Sequence, residues 1–119
     1  MIHVIATVEL HPGTRDRFLH EFALLEPLVR AEDGCLEYGA AVDVASGLPV
    51  QASLRPDVVI VIEKWTTLEA LMAHLAAPHM KGYRERVTAH VIGTTLQVLA
   101  PAADEHASRR GAEARRAGD

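Results

Sequence analysis

Runs of β-branched and other apolar residues mark four strands along the chain. Residues 2–10 are rich in Ile and Val and end at a His-Pro-Gly turn, which predicts a first strand. Similar runs at residues 35–44, 58–65 and 90–99 predict strands two to four. The third run begins with five apolar residues in succession, a pattern typical of a strand that is buried on both faces.

An amphipathic stripe follows the first strand. Its apolar positions recur every three or four residues and are Phe18, Phe22, Leu25 and Val29. This spacing predicts a helix that has Thr14 as its N-cap and is closed by Gly34 as its C-cap. Pro27 lies inside the stripe and predicts a kink or an early loosening of the helix near residues 24–26.

A second helical region follows the third strand. Thr66 or Thr67 is predicted as its N-cap, and Pro78 starts a second helical piece. The apolar positions expected to be buried in this region are Leu68, Leu71, Met72 and Leu75 in the first piece and Met80, Tyr83 and Val87 in the second. Before the third strand, residues 45–57 carry one Gly and two Pro and predict a long loop or an irregular hairpin.

The resulting element order is β-α-β-β-α-β, which predicts an α+β fold of the ferredoxin-like type with an antiparallel sheet. Helices in this arrangement cover one face of the sheet, yet the third strand is apolar on both. We therefore expect a second copy of the chain to cover the open face, in a homodimer. This domain is expected to occupy residues 1–100. Residues 101–119 contain no Val, Ile, Leu or aromatic residue, which predicts a flexible C-terminal tail.

Composition narrows the functional classes. The chain has 119 residues, is 49% hydrophobic and 24% charged, and carries a net charge of −4 with 4% aromatic residues. An acidic chain with few aromatic rings is not expected to bind nucleic acid. A single cysteine, Cys35, excludes an intrachain disulfide and a thiolate-rich metal site. No apolar run approaches about 18 residues, so we expect no membrane span and a cytoplasmic protein.

Five short motifs carry a family resemblance. They are Gly-Cys-Leu-Glu-Tyr at 34–38, Ile-Glu-Lys-Trp at 62–65, Leu-Glu-Ala-Leu at 68–71, His-Leu at 74–75 and Pro-His at 78–79. In this order and spacing they resemble the antibiotic biosynthesis monooxygenase domain family, and within it the small quinol-monooxygenase-like branch.

The resemblance implies a fold, a chemistry and a set of partners. The fold is a dimeric α/β barrel. The chemistry is the oxygenation of quinols or polycyclic phenols in a cleft between sheet and helices, without metal, flavin or haem. The implied partners are a second copy of the chain, a small aromatic substrate and dioxygen. One departure is the segment 45–57, which is longer than the usual connection in the family.

Two candidate catalytic residues follow from position and chemistry. Glu63 and Trp65 are two positions apart in a strand and therefore point to the same face. A carboxyl group buried there would have a raised pKa, in a range useful for proton transfer. The alternative is a Glu at the strand edge, paired with Lys or Arg. His74 lies beside the apolar stripe of the second helix and could take a proton from a hydroquinone, or be a structural residue.

Four aromatic or imidazole side chains are predicted to bind the substrate: Trp65, Tyr83, His79 and Tyr38. Each tyrosine offers a flat ring with a hydroxyl group for stacking on an aromatic substrate, and the alternative is core packing. His79 is five positions after His74, a spacing that does not place two metal ligands on one helical face. We expect no metal site.

Two other functions share the predicted fold. One is a dimeric barrel that binds a small metabolite, either without catalysis or as an isomerase. The other is haem degradation, for which relatives of this fold pair an Asn of the first strand with a Trp and a helical His. The chain contains no Asn and its first strand offers Thr7, which argues against the haem function.

Overall fold

A computed structural model describes residues 1–103. The elements among these residues are β1 (Ile2–Leu10), α1 (Arg15–Arg30), β2 (Cys35–Ala41), β3 (Val58–Trp65), α2 (Leu68–Leu75), α3 (Pro78–Val87) and β4 (Val91–Leu99). The strands form one antiparallel sheet in the order β2-β3-β1-β4. This confirms the predicted α+β, ferredoxin-like fold. Of the predicted tail, residues 104–119 lie outside the described part.

One face of the sheet packs against the helices. In β1 and β3 every second side chain is buried, and the register pairs Val4 with Glu63 and Ala6 with Val61 on that face. The predicted stripe of α1, from Phe18 to Val29, is fully buried against it. The predicted buried positions of α3 are likewise in the core. The strand residues, which are buried at every second position, and the helix residues, which recur about every 3.6 positions, therefore pack together in one hydrophobic core.

The ends of α1 differ from the prediction in two ways. Thr14 is the N-cap residue, but its hydroxyl donates to the carbonyl of His11 at 2.8 Å and does not cap the helix. The predicted C-cap at Gly34 is wrong, because the helix ends at Arg30 and Ala31 is its C-cap. Gly34 instead closes the following turn, where its φ of +80° suits glycine.

The helix α1 continues on both sides of Pro27, so the early loosening that was predicted as the alternative to a kink does not occur. Proline removes the hydrogen bond to the carbonyl four residues earlier, which here belongs to Ala23. Both residues lie on the exposed side of α1, so water can hydrate the freed carbonyl.

The helix α2 buries a narrower face than predicted. Leu71 and His74 are buried, whereas Leu68 is 49% and Met72 59% exposed. The prediction that Leu68 and Met72 are buried is wrong, because this short helix contacts the rest of the fold along one edge and these two side chains lie outside that edge. Thr67 is the N-cap, and its hydroxyl accepts a hydrogen bond from the backbone N–H of Ala70 at 3.1 Å.

Two strand boundaries also shift. The second strand ends at Ala41 instead of Val44, and the fourth begins at Val91 instead of His90. After Ala41 the chain leaves the sheet and forms a long loop before β3 begins at Val58.

Residues 42–57, which we call the arm, contain neither helix nor strand, as the predicted irregular loop requires. The guanidinium of Arg55 donates two hydrogen bonds to the carboxylate of Asp43, at 2.8 and 2.9 Å, and closes the base of the arm. Because of this pairing the pKa of Asp43 falls from 3.8 to about 2. The arm exposes five large apolar side chains: Val42, Val44, Leu48, Val50 and Leu54.

The second face of the sheet carries no helix in the described residues. Its central positions are the half-buried Ile5, Thr7, Ile60 and Ile62. Within residues 1–103 we find no helix with the length and apolar character needed to cross a membrane.

Candidate active site

The centre of the site is a carboxyl group bonded to an indole on β3. Glu63 is 6% exposed and Trp65 is completely buried. The indole Nε1–H donates a hydrogen bond of 3.0 Å to Oε1 of Glu63. The two side chains share the helix-facing side of the strand, as their spacing predicts. The predicted alternative for Glu63, a strand-edge residue paired with Lys or Arg, is wrong, because Glu63 is buried and contacts Trp65 and His74.

The helix α2 places His74 directly against this pair. Its ring lies 4.7 Å from the Trp65 ring between centroids, and the side chain is 1% exposed. Nε2 is 3.9 Å from Oε1 of Glu63. On the other side of the ring, Nδ1 is 2.9 Å from Oε2 of Glu32. The structure therefore brings Glu63, Trp65 and His74 into contact, which a site formed by all three residues requires.

Glu32 is a residue at the candidate site that the sequence reasoning missed. It lies in the turn between α1 and β2, and one of its oxygens contacts both Nδ1 of His74 and Nε2 of His79, each at 2.9 Å. The segment Ala-Glu-Asp-Gly indicates an ordinary exposed turn. Its two partners are 42 and 47 positions away in sequence, so no local spacing could have identified the contact.

A cavity of about 490 Å³ opens beside the carboxyl group. Glu63, His74, Tyr38 and Tyr83 all line it, so four of the six predicted site residues meet there. Trp65 and His79 do not line it. Trp65 lies behind the carboxyl group that it bonds, and His79 lies on the Glu32 side of His74. The remaining walls are mostly apolar and include Val8, Phe18, Val61, Leu75, Met80, Val87 and Leu96.

The two tyrosines belong to the core and to the cavity wall at once. Phe22 stacks on Tyr38 with ring centroids 5.3 Å apart, and it meets Tyr83 edge-on at 6.4 Å. Burial raises the pKa of both tyrosine hydroxyls. Both hydroxyls therefore stay protonated at neutral pH and can donate hydrogen bonds to an oxygen-bearing ligand.

Burial raises the pKa of Glu63 above its ordinary value of 4.5. The hydrogen bond from Trp65 and the charge of His74 oppose this shift, and the negative charge of Glu32 adds to it. A buried carboxyl group with a raised pKa, open to a cavity and close to an imidazole, can accept a proton from a bound ligand and release it again.

Residues 1–103 hold no cluster of three or more His, Cys, Asp or Glu side chains arranged to bind a metal ion. The only groups of this kind at the site are the two carboxylates and two imidazoles described above. Glu32 contacts both imidazoles, and Glu63 contacts Trp65 and His74.

Known proteins match the chain over these same elements. The family described as "Antibiotic biosynthesis monooxygenase" matches residues 1–86, which include Glu32, Glu63, Trp65, His74 and His79. "Probable quinol monooxygenase YgiN" of Escherichia coli (strain K12) is 40% identical over 103 residues, covering 85% of this chain and 98% of that protein.

Solved structures agree with the fold. A crystal structure of an antibiotic biosynthesis monooxygenase superposes with a TM-score of 0.70 at 26% identity, over 85% of this chain and 98% of the other. Rv0793 from Mycobacterium tuberculosis superposes with a TM-score of 0.68 at 25% identity, over 84% and 93%. Both share the sheet and helices that frame the cavity.

Proposed function

Because the chain belongs to the antibiotic biosynthesis monooxygenase family, we propose that it is a small monooxygenase that oxygenates an electron-rich aromatic such as a quinol, without a metal, flavin or haem. The observation that carries this proposal is the buried carboxyl group of Glu63 beside His74, in the wall of a mostly apolar cavity. The relative named as a probable quinol monooxygenase supports the substrate class.

The proposed reaction begins with a proton transfer. A hydroquinone bound in the cavity loses a hydroxyl proton to the Glu63 carboxylate, which leaves an electron-rich phenolate that can reduce dioxygen. One oxygen atom enters the ring and the other leaves as water, so hydroquinone and dioxygen give a hydroxyquinone and water. The substrate supplies the electrons itself. The protein supplies orientation and the base.

The shape of the cavity fits an aromatic ring. Its volume lies within the range of about 300–1,000 Å³ that is usual for small-molecule sites. Most of the walls are apolar and can pack against a ring, and the hydroxyls of Tyr38 and Tyr83 offer hydrogen bonds to substrate oxygens.

The homodimer belongs to the same proposal. A second copy would cover the open sheet face at Ile5, Ile60 and Ile62 and complete the α/β barrel. The exposed apolar side chains of the arm support this assignment, because patches of this kind mark interaction sites. Sedimentation at micromolar concentration is expected to give twice the chain mass of 12.9 kDa. A single-chain mass would overturn the dimer.

Oxygen uptake tests the reaction. We expect the protein to consume oxygen with one or more of a panel of hydroquinones in the presence of a metal chelator, above the rate without protein. Glu63→Gln and His74→Gln are each expected to lower this rate by about 10²- to 10⁴-fold. The matched control is Glu37→Gln, an exposed carboxylate on the neighbouring strand, which is expected to retain the wild-type rate.

Three results would overturn the proposed chemistry. The first is no oxygen uptake above background, and the second is wild-type rates in both site variants. If a ligand binds but no oxygen is consumed, the first result would favour a metabolite-binding barrel. The third is a Soret band on addition of haem that disappears with a reductant, which would favour haem degradation.

A further inference from the structure

The contacts of Glu32 point to a role in the site that its position in a surface turn does not suggest. We propose that Glu32 is a positioning residue: it fixes the tautomer and the direction of His74, so that Nε2 of His74 can take the proton of Glu63 and return it. This inference rests on the proposed function for its catalytic meaning, but its structural content can be tested separately.

The first argument is the hydrogen bond to Nδ1. An ionised carboxylate can only accept hydrogen bonds, so Nδ1 of His74 must carry the hydrogen in its 2.9 Å contact with Glu32. In the neutral ring the other nitrogen, Nε2, then has a free lone pair. That lone pair belongs to the nitrogen that faces Oε1 of Glu63 at 3.9 Å.

The second argument is that Glu32 is itself held. The oxygen that contacts His74 also lies 2.9 Å from Nε2 of His79, at the start of α3. The contacts join the turn after α1 to both α2 and α3. The Glu32 side chain is only 15% exposed, so neighbouring atoms limit its movement as well.

The proton transfer is balanced within the two side chains. The O–H bond of protonated Glu63 breaks and an N–H bond forms at Nε2 of His74, giving a carboxylate and an imidazolium. The imidazolium then lies between the carboxylates of Glu63 and Glu32, which stabilise its charge. The reverse step restores both groups and no other bond changes. Glu63 is thereby returned to its basic form while the proton is stored on His74.

The distance between Glu63 and His74 fits this role. At 3.9 Å the two atoms are about 1 Å beyond the length of a hydrogen bond. Catalytic hydrogen bonds are often long in the absence of substrate and shorten when it binds. Binding of substrate in the adjoining cavity is expected to shorten this distance.

Histidine tautomers can be read directly by long-range ¹H–¹⁵N NMR of the full chain labelled at histidine. The chain has seven histidines, and loss of one set of signals in His74→Gln assigns His74. In spectra that show a neutral His74 ring, we expect Nδ1 protonated and Nε2 unprotonated in the wild type. In Glu32→Gln the side-chain amide can donate to Nδ1, so the Nε2–H tautomer is expected to appear. Glu37→Gln should leave the spectrum unchanged.

Kinetics give a second, independent measurement. Glu32→Gln is expected to lower kcat for hydroquinone oxygenation roughly tenfold to a hundredfold with KM changed less than about twofold, since a group acting on the base affects chemistry more than binding. Glu32→Asp keeps the carboxylate and is expected to retain more activity than Glu32→Gln.

The outcomes separate the two proposals. An Nε2–H tautomer in the wild type, or an unchanged His74 spectrum in Glu32→Gln, would overturn the role of Glu32 whatever the activity. Equal loss of kcat in Glu32→Asp and Glu32→Gln would also count against it. Absence of oxygen uptake by the wild type would instead overturn the proposed function, and the tautomer result would still decide the positioning role.

Discussion

Replacing Gly34 by alanine tests how the turn after α1 is fitted to α2. A Cβ at this position would lie 2.6 Å from the Cβ of Ala70 and 2.7 Å from Oγ1 of Thr66, and the backbone has a φ of +80°. The left-handed conformation costs a non-glycine residue about 1–2 kcal/mol. The forced contacts add about 1–3 kcal/mol, because Cβ of Ala70 is fixed to the helix backbone and cannot rotate away. The free energy of unfolding is therefore expected to fall by about 2–5 kcal/mol.

A second glycine of the chain supplies a matched control. Gly47 has nearly the same φ, +76°, but a Cβ there would meet nothing within 4 Å. Gly47→Ala therefore carries the backbone strain alone, about 1–2 kcal/mol. Urea unfolding at one fixed protein concentration, with m compared between variants, measures both. If the two variants differ by less than about 0.5 kcal/mol, the steric argument is wrong.

Two further predictions concern the charge of Glu63 and the aromatic core. The proposed base must be ionised, so oxygen uptake should fall as the pH drops through the raised pKa of Glu63, at a pH above 4.5. A raised pKa in the folded state stabilises the protein below the unfolded value and loses that effect as the pH rises, so urea unfolding of Glu63→Gln should show growing relative stability between acidic and neutral pH. If the relative stability is independent of pH, the burial argument for Glu63 is wrong. Phe22→Ala removes the ring stacked on Tyr38 and should lower the free energy of unfolding by about 3–5 kcal/mol. Leu24→Ala on the exposed side of the same helix should stay within about 0.5 kcal/mol of wild type, and equal effects of the two would contradict the assigned core.

The parts of the fold that the sequence predicted are those that depend on periodicity. The apolar repeat from Phe18 to Val29 identified the buried face of α1, and the run of Val and Ile that begins residues 58–65 identified β3 with both of its ends. These patterns are repeated over several turns or pleats, so one exceptional residue does not obscure them.

The parts that were missed depend on single contacts made by the folded chain. Leu68 and Met72 have the right spacing for a buried stripe, but nothing in the sequence shows that α2 has a neighbour along one edge alone. The role of Gly34 was misassigned because a glycine after a helix indicates a C-cap, whereas here it serves the next turn. Glu32 could not be found because its two imidazole partners come from distant helices.

The sequence therefore indicated which residues lie close together at the candidate site, but not the hydrogen bonds between them. Glu63 and Trp65 could be placed on one face from their spacing, and His74 lies against them. That the indole bonds the carboxylate, and that a second carboxylate holds the imidazole, are facts of tertiary geometry.

The placement of Trp65 next to Glu63 and His74 makes its fluorescence a way to follow the charges of the site. It is the single tryptophan of the chain, its N–H is bonded to Glu63, and its ring lies 4.7 Å from that of His74. An imidazolium quenches a nearby indole more strongly than a neutral imidazole does, and a change of charge on the bonded carboxylate shifts the emission wavelength. The intrinsic fluorescence of Trp65 is therefore expected to report the charge state of the site in the resting protein, with no label and no substrate.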